Sequence, residues 1–342
     1  MQYQMMELHN VVGFEENDKG KLAMTRLPEK LRNEMVQKHI AFECAGVEIR
    51  FKMKDPEVTL VIHSLNEQSS VVRLMHGCYK ASTALYVNPG RNEFVITKPN
   101  NMENLILMEE ESDMPFDSNM VRVLLNGGHY GPPEIIGALE PMDGVKRPKL
   151  NYFAYGSSIT AGGSALLPDM NYVAWTAQQL KAEHFNYGFS GSANLERAMA
   201  DHIAAQKNIR FLSMELGVNM VWDMAKNDWA SVDLFKERVE YFIPTIAEAH
   251  KDIPVVCIDI FLNGNDLKKD QEVFDFRDVV RNEAIKFERK NKNFKYVCGK
   301  DLLTSGKGLS IDLLHPSTTG MVEIGDRLAE VFRNICYQMP QD

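Results

Sequence analysis

The period of the apolar residues changes near residue 145, and that change limits the possible folds more than any single motif does. Before it, short runs of β-forming residues follow one another at 46–53, 58–62, 70–74, 93–97, 104–108 and 120–125, broken by turn signals such as Asn88-Pro-Gly-Arg-Asn92. Several runs alternate apolar and polar residues, as half-buried antiparallel strands do. Many short strands at regular spacing predict an all-β sandwich of the jelly-roll kind, with one early helix over 28–37. The segment 143–149 is polar and carries Gly and Pro, so the expected boundary divides the chain into 1–145 and 146–342.

Beyond the boundary, strands and helices alternate. Strands are predicted at 152–155, 184–187, 209–215, 254–260 and 293–297. Helices are predicted at 171–182, 193–205, 231–250, 273–290 and from Ser317 onward. Such alternation predicts a three-layer α/β/α domain around a parallel sheet. With 342 residues, 44% of them hydrophobic, the chain can bury two cores.

A parallel α/β sheet collects its chemistry at the carboxyl ends of its strands. Four loops at such ends carry suggestive residues. Gly156-Ser157-Ser158 ends the first strand of the second domain, and a Ser/Gly/Ala-rich turn follows. A serine there presents its hydroxyl to a cleft. Ser190-Gly191-Ser192 follows the second strand and Gly217-Val-Asn219 the third. Asp312-Leu-Leu-His315 precedes the last helix, its acid and histidine close enough for a carboxylate to orient an imidazole. Ser158, His315 and Asp312 are therefore the candidate nucleophile, base and orienting acid. Ser158 alone would read as a helix-start residue or part of a phosphate-cradling loop. No GxxxxGK[ST] is present, however, and Gly162-Gly163 fits GxGxxG poorly.

These four segments, in this order, resemble the conserved blocks of the SGNH hydrolases, the GDSL esterase/lipase superfamily, over about 150–335. The resemblance implies a flavodoxin-like catalytic fold and an oxyanion hole built from the Ser158 and Gly191 backbone N–H groups and the Asn219 amide. It also implies short-chain, chiefly acetyl, ester hydrolysis without metal or organic cofactor. A β-sandwich ahead of such a domain is similar to two-domain carbohydrate esterases and an acyltransferase-like group. Two positions depart from the pattern. Ser157 stands where the family usually has Asp, which removes that carboxylate from the turn, and Met220 stands where many relatives carry Asp.

The expected activity is thus a serine esterase acting on an acylated sugar. The rivals are an acyltransferase with the same triad and a carbohydrate-binding protein with an inert hydrolase half. Trp222 and Trp229 line an acyl or sugar pocket or else pack in the core. His129 and Tyr130 face the cleft or belong to an interdomain loop. A net charge of -9 without basic runs argues against nucleic acid or anionic membrane as partner. The polar, acidic first twenty residues and five scattered cysteines without CxxC lead to the expectation of a cytoplasmic protein with reduced thiols. No HxH or HExxH spacing suggests a metal site.

Overall fold

The computed structural model describes residues 1–224 and 230–337. Its first part is antiparallel. Strand β1 (Met6–His9) pairs with β2 (Glu48–Met53), which pairs with β6 (Met120–Leu124), and β6 pairs with β4 (Ser70–His76). A second sheet sets β3 (Glu57–Ser64) between β5 (Gly90–Thr97) and β7 (Glu134–Ile136). Ile49, Phe51, Leu60, Ile62, Val121 and Val123 from the two sheets form one buried cluster, the core of a β-sandwich.

Helix α1 (Glu29–Glu34) falls within the expected 28–37. The segment 104–108, expected as a strand, instead lies inside helix α2 (Met102–Glu111). The acidic run 109–113 begins inside this helix. Glu109 is buried, and its Oε2 accepts the Ser118 N–H (2.6 Å) and hydroxyl (2.7 Å). Leu, Met and Glu are strong helix formers, and the partner of Glu109 lies nine residues on, beyond any local pattern.

The second part is a five-stranded parallel sheet in the order β9-β8-β10-β11-β12. Its strands are β8 (Leu150–Gly156), β9 (Ala182–Gly188), β10 (Phe211–Glu215), β11 (Val255–Ile258) and β12 (Phe294–Val297). Alternate residues of β8 serve opposite faces. Phe153 and Tyr155 join the core beneath α5 (Arg197–Ala204), α7 (Val232–Ala249) and α8 (Gln271–Glu288). Tyr152 and Ala154 join the core beneath α4 (Tyr172–Gln179) and α9 (Thr318–Tyr337). Both faces are therefore covered, as a parallel sheet requires. The chain leaves β8 for β9 on one side and then crosses to β10 on the other. The loops after β8 and β10 consequently flank a topological switch point, where α/β proteins place their ligands.

The first part also closes an edge of this sheet. Strand β9 is outermost, and its carbonyls at 184, 186 and 188 would otherwise lack partners. His9 Nε2 donates to His184 O (2.7 Å), Asn10 Nδ2 to Asn186 O (3.2 Å), and Arg26 to Asn186 O (2.6 Å) and Gly188 O (3.0 Å). Leu27, Leu31, Met35, Ile40 and Ala41 pack with Phe153 and Phe189 into the core under one face of the parallel sheet, so α1 belongs spatially to the second part.

Candidate active site

The turn after β8 folds as it does because Ser157 is an N-cap. Its Oγ accepts the Ile159 N–H (3.1 Å) at the start of the short helix Ser158–Ala161 (α3), and Gly162 ends that helix in a left-handed conformation (φ 102°). Ser158 thus sits in the first helical turn, where a backbone N–H has no intrahelical acceptor. A carboxylate does reach this turn despite the serine at 157, but from the neighbouring strand. Glu215 Oε2, at the end of β10, accepts the Ser157 N–H (2.7 Å) and the Thr160 hydroxyl (3.2 Å). Gly156 is required here, since a Cβ would collide with Thr160 Oγ1 and Glu215 Oε2. Burial pushes the Glu215 carboxyl above its ordinary range, against the hydrogen bonds from Ser157 and Thr160.

Ser158 Oγ lies 2.7 Å from His315 Nε2, and His315 Nδ1 lies 2.7 Å from Asp312 Oδ2. Asp312 Oδ1 accepts three more hydrogen bonds, from Ser310 Oγ (2.7 Å), Leu314 N (2.8 Å) and His315 N (2.9 Å). Partial burial opposes the charge. The bonds from His315, Leu314 and Ser310 outweigh it and hold the carboxyl well below the usual carboxylate range. The tight turn places Leu313 at φ 55°, a conformation costing about 1–2 kcal/mol for a residue with a Cβ. A hydrogen bond from Gly264 N to Leu313 O (2.6 Å) ties it down.

Gly191 lies at φ 69°, and the position its Cβ would occupy is open space. Asn219 begins the short helix after β10, and its Oδ1 accepts the Ala193 N–H (2.9 Å), which fixes the amide and leaves Nδ2 as the donor end. The structure thus brings Ser158, His315 and Asp312 into one hydrogen-bonded relay and ties the Gly191 loop to Asn219. Such an arrangement can activate a hydroxyl and stabilise the oxyanion of a tetrahedral intermediate.

The other sequence candidates sit elsewhere. Tyr130 is buried in the sandwich core, its hydroxyl bonded to Ser70 and Asn126. His129 lines a small cavity with Asn17, His39 and Phe42. Trp222 packs half-buried against the core of the second part, and Trp229 lies outside the described residues. Among the described residues, no group of three His, Cys, Asp or Glu side chains could hold a metal ion. A groove of about 390 Å³ runs between Ser69, Ser70 and Asn126 of the first part and Ser164, Leu166 and Asn171 beside α3. An apolar cavity of about 250 Å³ lies at the other end of β9, around Met75, Phe116, Ala182 and His184, and includes none of the site residues.

Sequence reasoning missed Glu215. Its only signal is an acidic residue ending an apolar strand two positions before Gly217.

A family model described as GDSL-like lipase/acylhydrolase matches residues 151–333, more than half of the chain. No curated protein matches the sequence. Among solved structures, a salicylyl-acyltransferase from a tetracycline biosynthetic pathway is 15% identical with a TM-score of 0.74, covering 98% of this chain and 96% of its own. A family two carbohydrate esterase from Clostridium thermocellum, solved with cellohexaose, is 13% identical with a TM-score of 0.61, covering 98% and 100%. An acetyl xylan esterase from the rumen bacterium Butyrivibrio proteoclasticus is 12% identical with a TM-score of 0.57, covering 99% and 98%. At these identities the likeness is one of fold, and it extends over both parts of the chain.

Proposed function

This chain belongs to the GDSL-like lipase/acylhydrolase family, and on that premise we propose that it is a serine esterase removing short acyl groups, acetyl above all, from a carbohydrate or glycoside. The observation that carries the reading is the unbroken Ser158–His315–Asp312 relay, with 2.7 Å at each link. In this reading Ser158 Oγ adds to the ester carbonyl carbon while its proton passes to His315 Nε2. Asp312 stabilises the imidazolium, and the oxyanion is met by the Ser158 and Gly191 N–H groups and Asn219 Nδ2. Collapse breaks the ester C–O bond, and the proton moves from Nε2 to the departing alcohol. Water then adds to the acyl-enzyme, giving one proton to Nε2. The carboxylic acid leaves as Ser158 Oγ takes that proton back.

Support for a sugar alcohol comes from the small polar side chains of the interdomain groove beside α3 and from the fold shared with the cellohexaose-binding and acetyl xylan esterases. The division at residue 145 is likewise our proposal, with α1 as a piece of the first part embedded in the second core. A second reading, acyl transfer to an alcohol, is supported by the shared two-part fold of the salicylyl-acyltransferase. It differs in one step, an acceptor hydroxyl replacing water at the acyl-enzyme.

The test is hydrolysis of p-nitrophenyl acetate, butyrate and octanoate by wild type and Ser158→Ala. Turnover should fall with chain length and drop by about 10⁶ in the variant. Turnover indifferent to the substitution would remove Ser158 as nucleophile. Product that shifts from acetate to acetylated alcohol when glycosides are added would favour transfer.

A further inference from the structure

The loop Ser190–Ser192 carries the Gly191 N–H, and its local bonds are a turn from Ser192 N to Phe189 O (3.1 Å) and one from Ser192 Oγ to Ser190 O (3.4 Å). Its bracing comes from two sides. On the hydrolase side, Phe189 N donates to Gly156 O (2.8 Å) and Asn186 Nδ2 to Thr160 O (2.7 Å). Gly188 lies so close to α3 that a Cβ there would collide with the Ala161 backbone. On the other side stands the chain between Arg26 and Glu43, more than 140 residues earlier in sequence. Gln37 brackets the loop, accepting the Ser192 hydroxyl at Oε1 (2.7 Å) and donating from Nε2 to Gly191 O (3.5 Å). Glu43 Oε2 accepts the Ser190 N–H (3.3 Å). Arg26, fully buried, holds the carbonyls of Asn186 and Gly188 and lies over the Phe189 ring, 5.0 Å from its centroid.

Every residue from 188 to 192 thus meets this segment, Gly188 and Gly191 through their carbonyls, Phe189 through its ring, Ser190 through its N–H and Ser192 through its hydroxyl. Among the described residues, the Gly191 N–H has no backbone acceptor. Holding the carbonyl and both neighbours fixes the peptide planes on either side of that N–H, because φ and ψ are the only soft torsions there. We propose that Gln37, with Glu43 and Arg26 behind it, is a positioning device for the oxyanion-binding loop, so that the first part of the chain supplies half the rigidity of the hydrolase site. This rests on the reading above, in which Gly191 N–H meets the oxyanion of a Ser158 adduct. The Gln37 amide bonds the loop, at Gly191 O and Ser192 Oγ, and not Ser158. Its contribution exists only as aim, and it should appear in the transition state rather than in substrate binding.

The test is kcat and KM for p-nitrophenyl acetate with Gln37→Ala, Gln37→Glu, Ser192→Ala and the Gln37→Ala/Ser192→Ala double variant of the full chain. Gln37→Ala should lower kcat about 10–100-fold, the scale of a small misplacement of a catalytic group, with KM within about twofold. Ser192→Ala removes the same bond from the loop side. The double variant should lose no more than Gln37→Ala alone, because the bond that Ser192→Ala removes is one of the two that Gln37→Ala breaks. Gln37→Glu keeps the acceptor for Ser192 but loses the donor to the Gly191 carbonyl, and should lower kcat measurably but less than Gln37→Ala. The inhibition constant of a methyl trifluoromethyl ketone, which forms the tetrahedral oxyanion, should rise by the same factor as kcat falls.

Wild-type kcat in both Gln37→Ala and Ser192→Ala would overturn the proposal, as would losses confined to KM or additive losses in the double variant. If Gln37→Ala does not fold, Ser192→Ala and Gln37→Glu decide by the same kcat and inhibitor readouts. Activity surviving in Ser158→Ala would instead remove the underlying reading. Loss in Ser158→Ala with none in the Gln37 and Ser192 variants would remove this inference alone.

Discussion

Asp312 and His315 meet across three residues of chain, whereas Ser158 and Gly191 owe their positions to partners as distant in sequence as Arg26 and Glu215. The two halves of the site also differ in exposure. The Asp312 carboxylate is 45% accessible and stabilised by bonds from Ser310, Leu314 and His315. Glu215, beneath the nucleophile turn, is 1% accessible. The acid–base half is a local turn that carries its own hydrogen bonds. The half around Ser158 and Gly191 is a junction of two strands and a segment from the other end of the chain. Damage to the first should cost chemistry more than fold. Damage to the second should cost both.

The largest separation of the two is expected from Asp312→Asn. The asparagine oxygen can still accept the Leu314 and His315 N–H groups, but it no longer selects the imidazole tautomer. We expect kcat for p-nitrophenyl acetate to fall by about 10³–10⁴, with the thermal midpoint lowered less than by Glu215→Ala. A loss of stability as large as that of Glu215→Ala would break the idea that this half is self-contained.

Glu215 offers the converse case. Glu215→Ala leaves the Ser157 N–H without its acceptor and should lower kcat about 10–100-fold together with the melting temperature. Glu215→Gln keeps an acceptor oxygen and should lose less. The pH dependence has a definite sign. Because burial raises the folded carboxyl above its ordinary value of 4.5, the folded state holds that proton more tightly than the unfolded chain. The associated stability is present below the ordinary value and lost as pH rises through the raised one. The melting temperature of wild type relative to Glu215→Gln should therefore fall as pH rises above 4.5.

The smallest effect on activity belongs to the junction far from Ser158. Arg50, inaccessible to solvent, pairs with Glu48, Glu7 and Glu183, the last from β9. Burial alone would raise Glu183, but Arg50 and His9 overcome it and pull the carboxyl down to about 2. The sign is the opposite of Glu215's. This contribution is present above 4.5 and lost as pH falls toward 2. Glu183→Gln should leave kcat at neutral pH unchanged and flatten the acid side of the stability profile, measured by thermal unfolding. An effect on kcat would show that the two parts communicate along β9 as well as through Gln37.

Legibility in the sequence followed the same divide. The strand and helix alternation after residue 150 was readable because each element shows its apolar period locally. Asp312 and His315 were readable because three residues of chain bring them together. Strand 104–108 was misread because the apolar run Leu-Ile-Leu-Met fits either period, and only the buried partner of Glu109 settles the matter. Tyr130 drew attention as an aromatic in a Gly/Pro loop, yet it fills the sandwich core, because a strand neighbour set by register decides which way it points. Glu215 and Gln37 escaped notice, being single polar residues whose partners lie 58 and 155 positions away.

By itself, then, the sequence determined the two-part architecture, the layer order of the hydrolase half and the identity of the residues able to form the Ser–His–Asp relay. Those properties rest on local periodicity, capping and short spacings. Only the tertiary structure decided which carboxylate stands under the nucleophile turn and which segment clamps the Gly191 loop. It also decided that α1 leaves its own sheet for the other core. Each is a contact between residues far apart in the chain, fixed by the packing of whole elements and invisible to any local period.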